Sequence, residues 1–411
     1  MSRVARNTAL LYAGQFVSQA GDSVFTASVA WLAATLTGTP KATGLAVFLG
    51  ALPFLLFGPF AGAWVDRGDR RRIMVASDLA RAALLLAFPF AASRLGLTFP
   101  LVAAVAFLLA AASTPFLPAR DALIPVLADG RPLVRFNAVF QTSGQLAQLV
   151  GLWLGGLVLG ADRGDVSRVV TVLALDGATF LVSAATLALL VLPRAGAPGG
   201  GLAAPRAPRP NLFREAMAGL RDASRDPLLV GLLVLTALDN LAIMGPAIVG
   251  ATHFVRDDLH LGASHVAWFE GTMALGFLVG AATLARTGHR FRKGPLILVG
   301  MVMDGLTYVP FPFVRSYALA LALIFVHGLF IPCIVVGRTT LLQQHVEPER
   351  IGRTFALVHL TVTGMTALSA LVAGAVAAAF GASALFLVAG VFGTACGLVG
   401  LLAMPRLRAA A

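Results

Sequence analysis

The stretch Gly62-Ala63-Trp64-Val65-Asp66-Arg67-Gly68-Asp69-Arg70-Arg71-Arg72 packs four arginines and two aspartates between two long apolar segments. A charge at the centre of a bilayer costs about 2.5–3.5 kcal/mol on insertion scales, so this run cannot lie in hydrocarbon. It reads as a tight aqueous turn between two spanning helices. Apolar segments of the same kind recur on both sides of it along the whole chain. Of the 411 residues, 58% are hydrophobic and 12% charged, against about 25% charged in a soluble domain. The mean hydropathy is +0.85. A span needs about 20 apolar residues, and twelve of them leave short loops and one linker.

The expected fold is therefore an all-α membrane protein. Its spans are predicted at 8–36, 42–65, 73–93, 98–127, 134–160, 167–192, 227–253, 264–286, 294–314, 316–343, 350–379 and 382–404. Several exceed 25 residues, which implies tilt or extension beyond the hydrocarbon. With the N-terminus inside, the cytoplasmic segments hold 24 lysines and arginines. The outer loops hold six (Lys41, Arg94, Arg163, Arg168, Arg256 and Arg315), and Arg81 falls within the third span. Cytoplasmic loops carry the Lys/Arg excess of membrane proteins, so both termini and the 62–72 turn are expected in the cytoplasm. The same bias accounts for the formal charge of +12. No basic stripe with interleaved aromatics suggests nucleic acid. Cys333 and Cys396 sit in apolar spans and read as reduced core residues. Arg3 and Arg6 precede a long span without a small-residue cleavage signature, so the N-terminus reads as an uncleaved first helix.

Residues 194–210 are rich in Ala, Pro, Gly and Arg and read as a flexible linker. Asn211 then caps a short amphipathic stretch, Leu212 to Ala223, expected along the membrane surface. The chain divides into a six-helix bundle at 1–193, a linker at 194–226 and a second six-helix bundle at 227–411. The bundles correspond at an offset of 218. Gly62-Ala63 matches Gly280-Ala281, Arg120 matches Arg338, Gly156 matches Gly374, and Asp22 lands on Asn240 beside Asp239. One offset holding at four places indicates a duplicated unit. Duplicated halves around a midplane site are the architecture of an alternating-access transporter. The repeat breaks at Asp66 and Arg67, which map onto Leu284 and Ala285.

Gly62, Asp66, Arg67, Arg70 and Arg71 match the loop signature of the major facilitator superfamily, which this chain resembles over nearly its whole length. Asp69 stands where that signature has a second glycine. The resulting Asp-Arg-x-Asp-Arg-Arg form resembles the bacterial branch of macrolide-efflux and enterobactin-exporter proteins. Gln15 to Asp22, Leu52-Pro53, Gly58-Pro59, Pro118 to Ala122 with Pro125, Asn137-Ala138, Asp176 with Thr179 to Leu181, and Gly352-Arg353 agree with it. One departure is the run Gly151-Leu152-Trp153-Leu154-Gly155-Gly156, which keeps the glycines of a drug-antiporter element but lacks its proline. The resemblance implies a gate. Asp66 would meet the positive N-terminal end of the helix starting near Ile351, with Arg67 beside it in the turn, and Arg70 would pair with Asp121, holding the cytoplasmic side closed in the outward-facing state. The plainer reading is that the arginines only anchor topology.

Polar groups inside spans are functional candidates by default. Gln15, Gln19, Asp22 and Thr26 fall on one helical face, with Asp22 its charge. The alternative for Asp22 is interhelical packing. Span 7 carries Thr236, Asp239 and Asn240. Span 5 presents Gln141, Gln145 and Gln148 beside Gly144, Gly151 and Gly155, either lining a cavity or joining helices. Span 11 presents His359, Thr363 and Thr366, where a lone histidine is more often a packing residue. Glu270 and Asp304 are candidate proton carriers or partners of Arg338, itself read as a structural arginine.

The expected function is export of a hydrophobic or amphipathic small molecule, drug-like or siderophore-like, across a bacterial cytoplasmic membrane by a monomer without cofactors. No Gly-x-x-x-x-Gly-Lys loop is present, so energy is expected from an ion gradient, with protons as the coupling ion through Asp22, Asp239 or Glu270. The alternative is a metal-ion exporter or importer using Asp22, Asp239 and His359, though no ligand spacing supports it. An enzyme is not expected, for want of a nucleophile–base pair or a His-Glu-x-x-His motif. A receptor is disfavoured because no soluble signalling domain is present.

Overall fold

A computed structural model describes residues 3–128, 133–160, 166–191, 221 and 224–410. Side chains at 62–63, 66–67, 133–139, 141 and 348–353, among others, lie outside the described residues. So do the linker and nearly all of the amphipathic stretch expected over 194–223.

The described chain is helical throughout. In order, the helices are α1 (Arg3–Thr37), α2 (Pro40–Arg67), α3 (Arg70–Leu95), α4 (Phe99–Ser113), α5 (Phe116–Ala128), α6 (Leu133–Leu159), α7 (Val166–Ala188), α8 (Pro227–Gly245), α9 (Ala263–Thr287), α10 (Lys293–Leu306), α11 (Tyr317–His345), α12 (Pro348–Phe380), α13 (Ala382–Ala403) and α14 (Pro405–Arg408). Among the described residues, eleven segments are long and apolar enough to cross a membrane. The first helix is not one of them by composition, because Gln15, Gln19 and Asp22 dilute it. Its 35 residues nevertheless pack on α2, α4, α6 and α7, inside the bundle. With α1 the spans number twelve.

Local chemistry explains the boundaries. Pro40 opens α2 and Pro227 opens α8, at positions where a missing N–H leaves no bond unmade. Asp69, which departs from the family signature, caps α3 by accepting a 3.1 Å hydrogen bond from the Arg72 amide. An aspartate oxygen satisfies an orphan N–H there as glycine cannot. Gly381, at φ +85°, makes the sharp reversal between α12 and α13.

Three spans differ in detail from the sequence reading. The fourth is two helices, broken at Thr114–Pro115, where proline withholds an amide and the Thr114 hydroxyl bonds the Ala110 carbonyl at 2.9 Å. The ninth ends as a helix at Leu306 and finishes in a 3₁₀ turn, Phe311–Phe313, among Pro310 and Pro312. The seventh contains two π-helical turns, Pro246–Gly250 and Phe254–Asp258, and the second carries it on past 253 to Asp258. The missing amide of Pro246 opens the first of them.

Within the first half, α1 packs on α6 and α7, and α3 on α7; in the second, α8 packs on α12, α9 on α11, and α10 on α11 and α13. Two seams join the halves, α2 against α12 and α6 against α9. Lipid supplies no hydrophobic drive between helices, so close van der Waals contact must hold these seams. Glycine provides it. A Cβ at Gly44 would collide with the Ala370 carbonyl oxygen, one at Gly374 would lie 2.7 Å from that of Pro40, and one at Gly271 would lie 2.8 Å from the Trp153 ring. All three lie toward the end opposite the arginine turn.

Candidate functional site

Asp22 is the half-exposed edge of a buried charge cluster that joins three helices. Arg81, on α3, is its hub and is only 4% exposed. Its guanidinium contacts Asp78 one turn earlier, with Nη2 on Oδ1, and lies 3.7 Å from Asp22 Oδ2 on α1. Phe180 and Phe116 stack over it, 4.1 and 4.7 Å from ring centroid to Cζ. Such stacking suits a weakly hydrated planar cation. Asp176 on α7 completes the cluster, held by the Thr179 hydroxyl at 3.1 Å and within electrostatic reach of Asp22 and Arg81. Gln15 donates to Ser183 at 3.4 Å, tying α1 to α7 beside it. Three carboxylates thus face one guanidinium. Asp78 Oδ2, Asp176 Oδ2 and Arg81 Nε have no hydrogen-bond partner among the described residues.

A second cluster lies in the other half. Asp304 on α10 is 3.4 Å from Nδ1 of His327 on α11, and the Thr307 hydroxyl sits 2.9 Å from the same nitrogen. The His327 ring stacks on Tyr308 at a centroid distance of 4.4 Å. Asp239 on α8 lies near both Asp304 and Arg338, and Arg338 reaches Thr236 Oγ1 at 3.5 Å. Asp239 Oδ1, Asp304 Oδ1 and the Tyr308 hydroxyl are buried without hydrogen-bond partners among the described residues. Each half therefore carries its own ionisable cluster inside a spanning bundle.

The remaining sequence-predicted residues scatter. Asn240 donates to the Thr236 carbonyl at 2.8 Å, within its own helix. Gln19 lies under Gly144, its amide nitrogen unpartnered among the described residues. Gln145 is half-buried and Gln141 has no described side chain. The glycines of α6 serve packing: Gly151 faces Ala20 and Ser23, Gly155 faces Val24, and Gly156 faces Trp268. Glu270 Oε1 is buried without a described partner and does not pair with Arg338. His359 is exposed on α12. Among the described residues no group of acids, histidines and cysteines could hold a metal, so Asp22, Asp239 and His359 are not brought together.

In the described conformation Arg70 and Asp121 are not paired. Arg70 Nη1 donates to the Ala122 carbonyl at 2.9 Å, while Asp121 takes the adjacent Arg120 at 2.9 Å. Arg71 likewise bonds the Leu190 carbonyl at 2.6 Å. The side chains of Asp66, Arg67 and Ile351 lie outside the described residues.

At the opposite end the halves are tied by polar bonds. The Thr43 hydroxyl on α2 lies 3.0 Å from His253 Nε2 on the α8 extension, and His253 Nδ1 lies 2.7 Å from Asp257 Oδ2. Gly160 accepts from the Ser264 amide at 3.1 Å, and Trp153 stacks on Trp268 at 6.4 Å. Sequence reasoning missed Arg81, Asp78, Thr43 and His253. The one signal was the rarity of polar side chains in apolar spans; Asp22 lies 59 residues from Arg81 and Thr43 210 residues from His253, so no local window shows either contact.

The model of the Major Facilitator Superfamily matches residues 11–249 and again residues 232–411. Macrolide efflux protein A of Streptococcus pyogenes is 24% identical over 84% of this chain and 83% of its own length. Multidrug efflux pump Tap of Mycolicibacterium fortuitum is 26% identical over 95% of this chain and 93% of its own. The nucleoside transporter NupG aligns with a TM-score of 0.77 at 14% identity, over 98% of this chain and 99% of that one. A bacterial homologue of the iron transporter ferroportin, in an inward-facing state, aligns over the full length of both chains with a TM-score of 0.76 at 16% identity. At such identities the two structures speak for the fold alone.

Proposed function

Because this chain belongs to the Major Facilitator Superfamily and is a transporter, we propose that it exports a hydrophobic or amphipathic small molecule by proton-coupled alternating access. It would work as a monomer in a bacterial cytoplasmic membrane, with both termini cytoplasmic and halves at 1–193 and 227–411 joined through 194–226. The efflux relatives support the direction and the substrate class. The Lys/Arg asymmetry supports the orientation. On that orientation the glycine seams and the Thr43–His253 bond close the outer side, so the described conformation faces inward.

The observation that carries the coupling is the surplus of acid around Arg81. One guanidinium cannot neutralise Asp22, Asp78 and Asp176. A buried surplus of negative charge is expensive in a low-dielectric bundle and is relieved by taking up a cation. A proton is the smallest. Asp22, half-exposed, is the carboxylate through which it arrives, and a cationic substrate would compete with it. Asp239 and Asp304 offer the same chemistry in the second half, and Glu270 a lone buried acid. Transport of a macrolide antibiotic or a cationic dye into inverted vesicles should stop when the proton gradient is fully collapsed. Undiminished transport would refute proton coupling. A susceptibility screen of a deletion strain against its complemented parent would test the substrate class.

Asp66 is assigned the one-sided gate, since its repeat position is Leu284. Asp66→Asn preserves the arginines that set topology. It should reduce transport at unchanged expression, and normal transport would leave the turn a topological anchor.

A further inference from the structure

We infer that the second half carries a binding site for the phosphate head group of an anionic phospholipid, at the repeat counterpart of the arginine turn. A cavity of about 530 Å³ opens among the start of α8, the α9–α10 turn, the end of α11 and the C-terminal tail. That volume lies within the range of about 300–1,000 Å³ usual for small-ligand sites. Arg290, Arg292 and Lys293 line it, and no acidic residue does. His345 also lines it, with Nε2 bound to Asp226 Oδ2 at 2.7 Å. Among the described residues, no carboxylate pairs with Arg290, Arg292 or Lys293.

Their geometry favours an anion over bulk solvent. Lys293 Nζ donates to the carbonyls of Gly288 and Phe291, each at 2.9 Å, which fixes the ammonium at the mouth with one N–H to spare. Arg292 Nη2 bonds the Ala409 carbonyl, so the C-terminal tail forms one wall. Arg290 is exposed and has no described partner. Phe291, Leu228 and Leu341 add apolar surface to the same lining.

That combination, cations and apolar side chains in one lining at the ends of the spans, matches an amphiphile lying in the membrane rather than a soluble anion. The phosphate would take Arg290, Arg292 and Lys293, and the glycerol and upper acyl chain would lie on Phe291 and Leu341. Basic pockets between transmembrane helices bind anionic head groups in this way. The site ties the α9–α10 turn to the C-terminal tail and lies beside the Asp226–His345 bond, which joins the start of α8 to the end of α11.

The test uses the full chain in nanodiscs. Phosphatidylglycerol should bind and raise the thermal midpoint relative to phosphatidylcholine alone. Arg290→Gln, whose side chain supports no described contact, should weaken phosphatidylglycerol binding about fivefold, as loss of one interfacial cation does. Arg290→Gln with Arg292→Gln should abolish the shift. Arg315→Gln, at the opposite end, should leave it intact. Equal stabilisation of wild type and both variants overturns the site. Stabilisation by soluble glycerol phosphate as large as that by the lipid overturns the lipid assignment.

Discussion

At the scale of single residues, Arg81 matters most to the stability of the first half. It is the one cation described among Asp22, Asp78 and Asp176, and it is almost fully buried. Removing one partner of a buried ionic group leaves uncompensated charge and costs on the order of 3–5 kcal/mol. Arg81→Met should lower the thermal midpoint strongly, and adding Asp78→Asn should recover part of the loss, because the second change removes the orphaned charge. A double variant as unstable as the single would show that Arg81 acts through packing on Phe116 and Phe180 alone. Arg81 is also the residue least legible in the chain. It reads as a lone positive charge inside an apolar span, while Asp22, the visible acid of α1, proved to be one of its three partners. The polar periodicity of α1 put Gln15 and Asp22 on a shared face but could not say what faced them.

At the scale of elements, the seams between α2 and α12 and between α6 and α9 join the two halves. They depend on glycine and on polar bonds, Thr43 to His253 in the first seam and the Ser264 amide to the Gly160 carbonyl beside the second. A side chain at Gly44 would strike the α12 backbone, which cannot yield as a flexible side chain can. Gly44→Leu should therefore force the seam apart. With Thr43→Cys as a reporter, the thiol should react several-fold faster with a membrane-impermeant maleimide when Gly44→Leu is also present than when it is not. Equal reactivity would mean that the seam tolerates the bulk. The small residues of α6 were readable as a packing face from their spacing. The α2–α12 seam was not, because Gly44 and Gly374 are isolated glycines in their own helices and gain meaning only from each other. The π-helical turns that carry His253 to Thr43 were equally hidden, since Pro246 announces a disturbance without its extent.

At the scale of the whole molecule, the Asp226–His345 bond fastens α8 to α11 at the arginine-turn end. Partial burial pushes the Asp226 carboxyl up, but the His345 hydrogen bond and the Leu228 and Leu229 amides outweigh it and hold the group below its ordinary value. A carboxyl depressed in the folded state contributes stability above its unfolded value near about 3.9, and that contribution is lost as pH falls through the lower folded value. Asp226→Asn keeps the helix cap. It should lower the thermal midpoint slightly at neutral pH, slightly because the pair is partly exposed and screened. The difference should close as pH falls below about 4. A gap that persists unchanged at pH 3 would place the effect in the cap rather than in the charge.

The sequence by itself determined the features set by composition and local chemistry: an all-helical membrane chain, the ends of most spans to within a few residues, the duplicated halves and the family. These rest on apolar length, on proline and aspartate at helix starts, and on repetition, all written within short windows. Only the tertiary structure decided which polar groups meet. It put Arg81 among three aspartates, His327 against Asp304, Thr43 on His253, and Arg70 on a backbone oxygen in place of Asp121. Those pairings depend on how each helix is rotated about its axis and which neighbour it touches, and a buried charge takes whichever partner that rotation brings within reach.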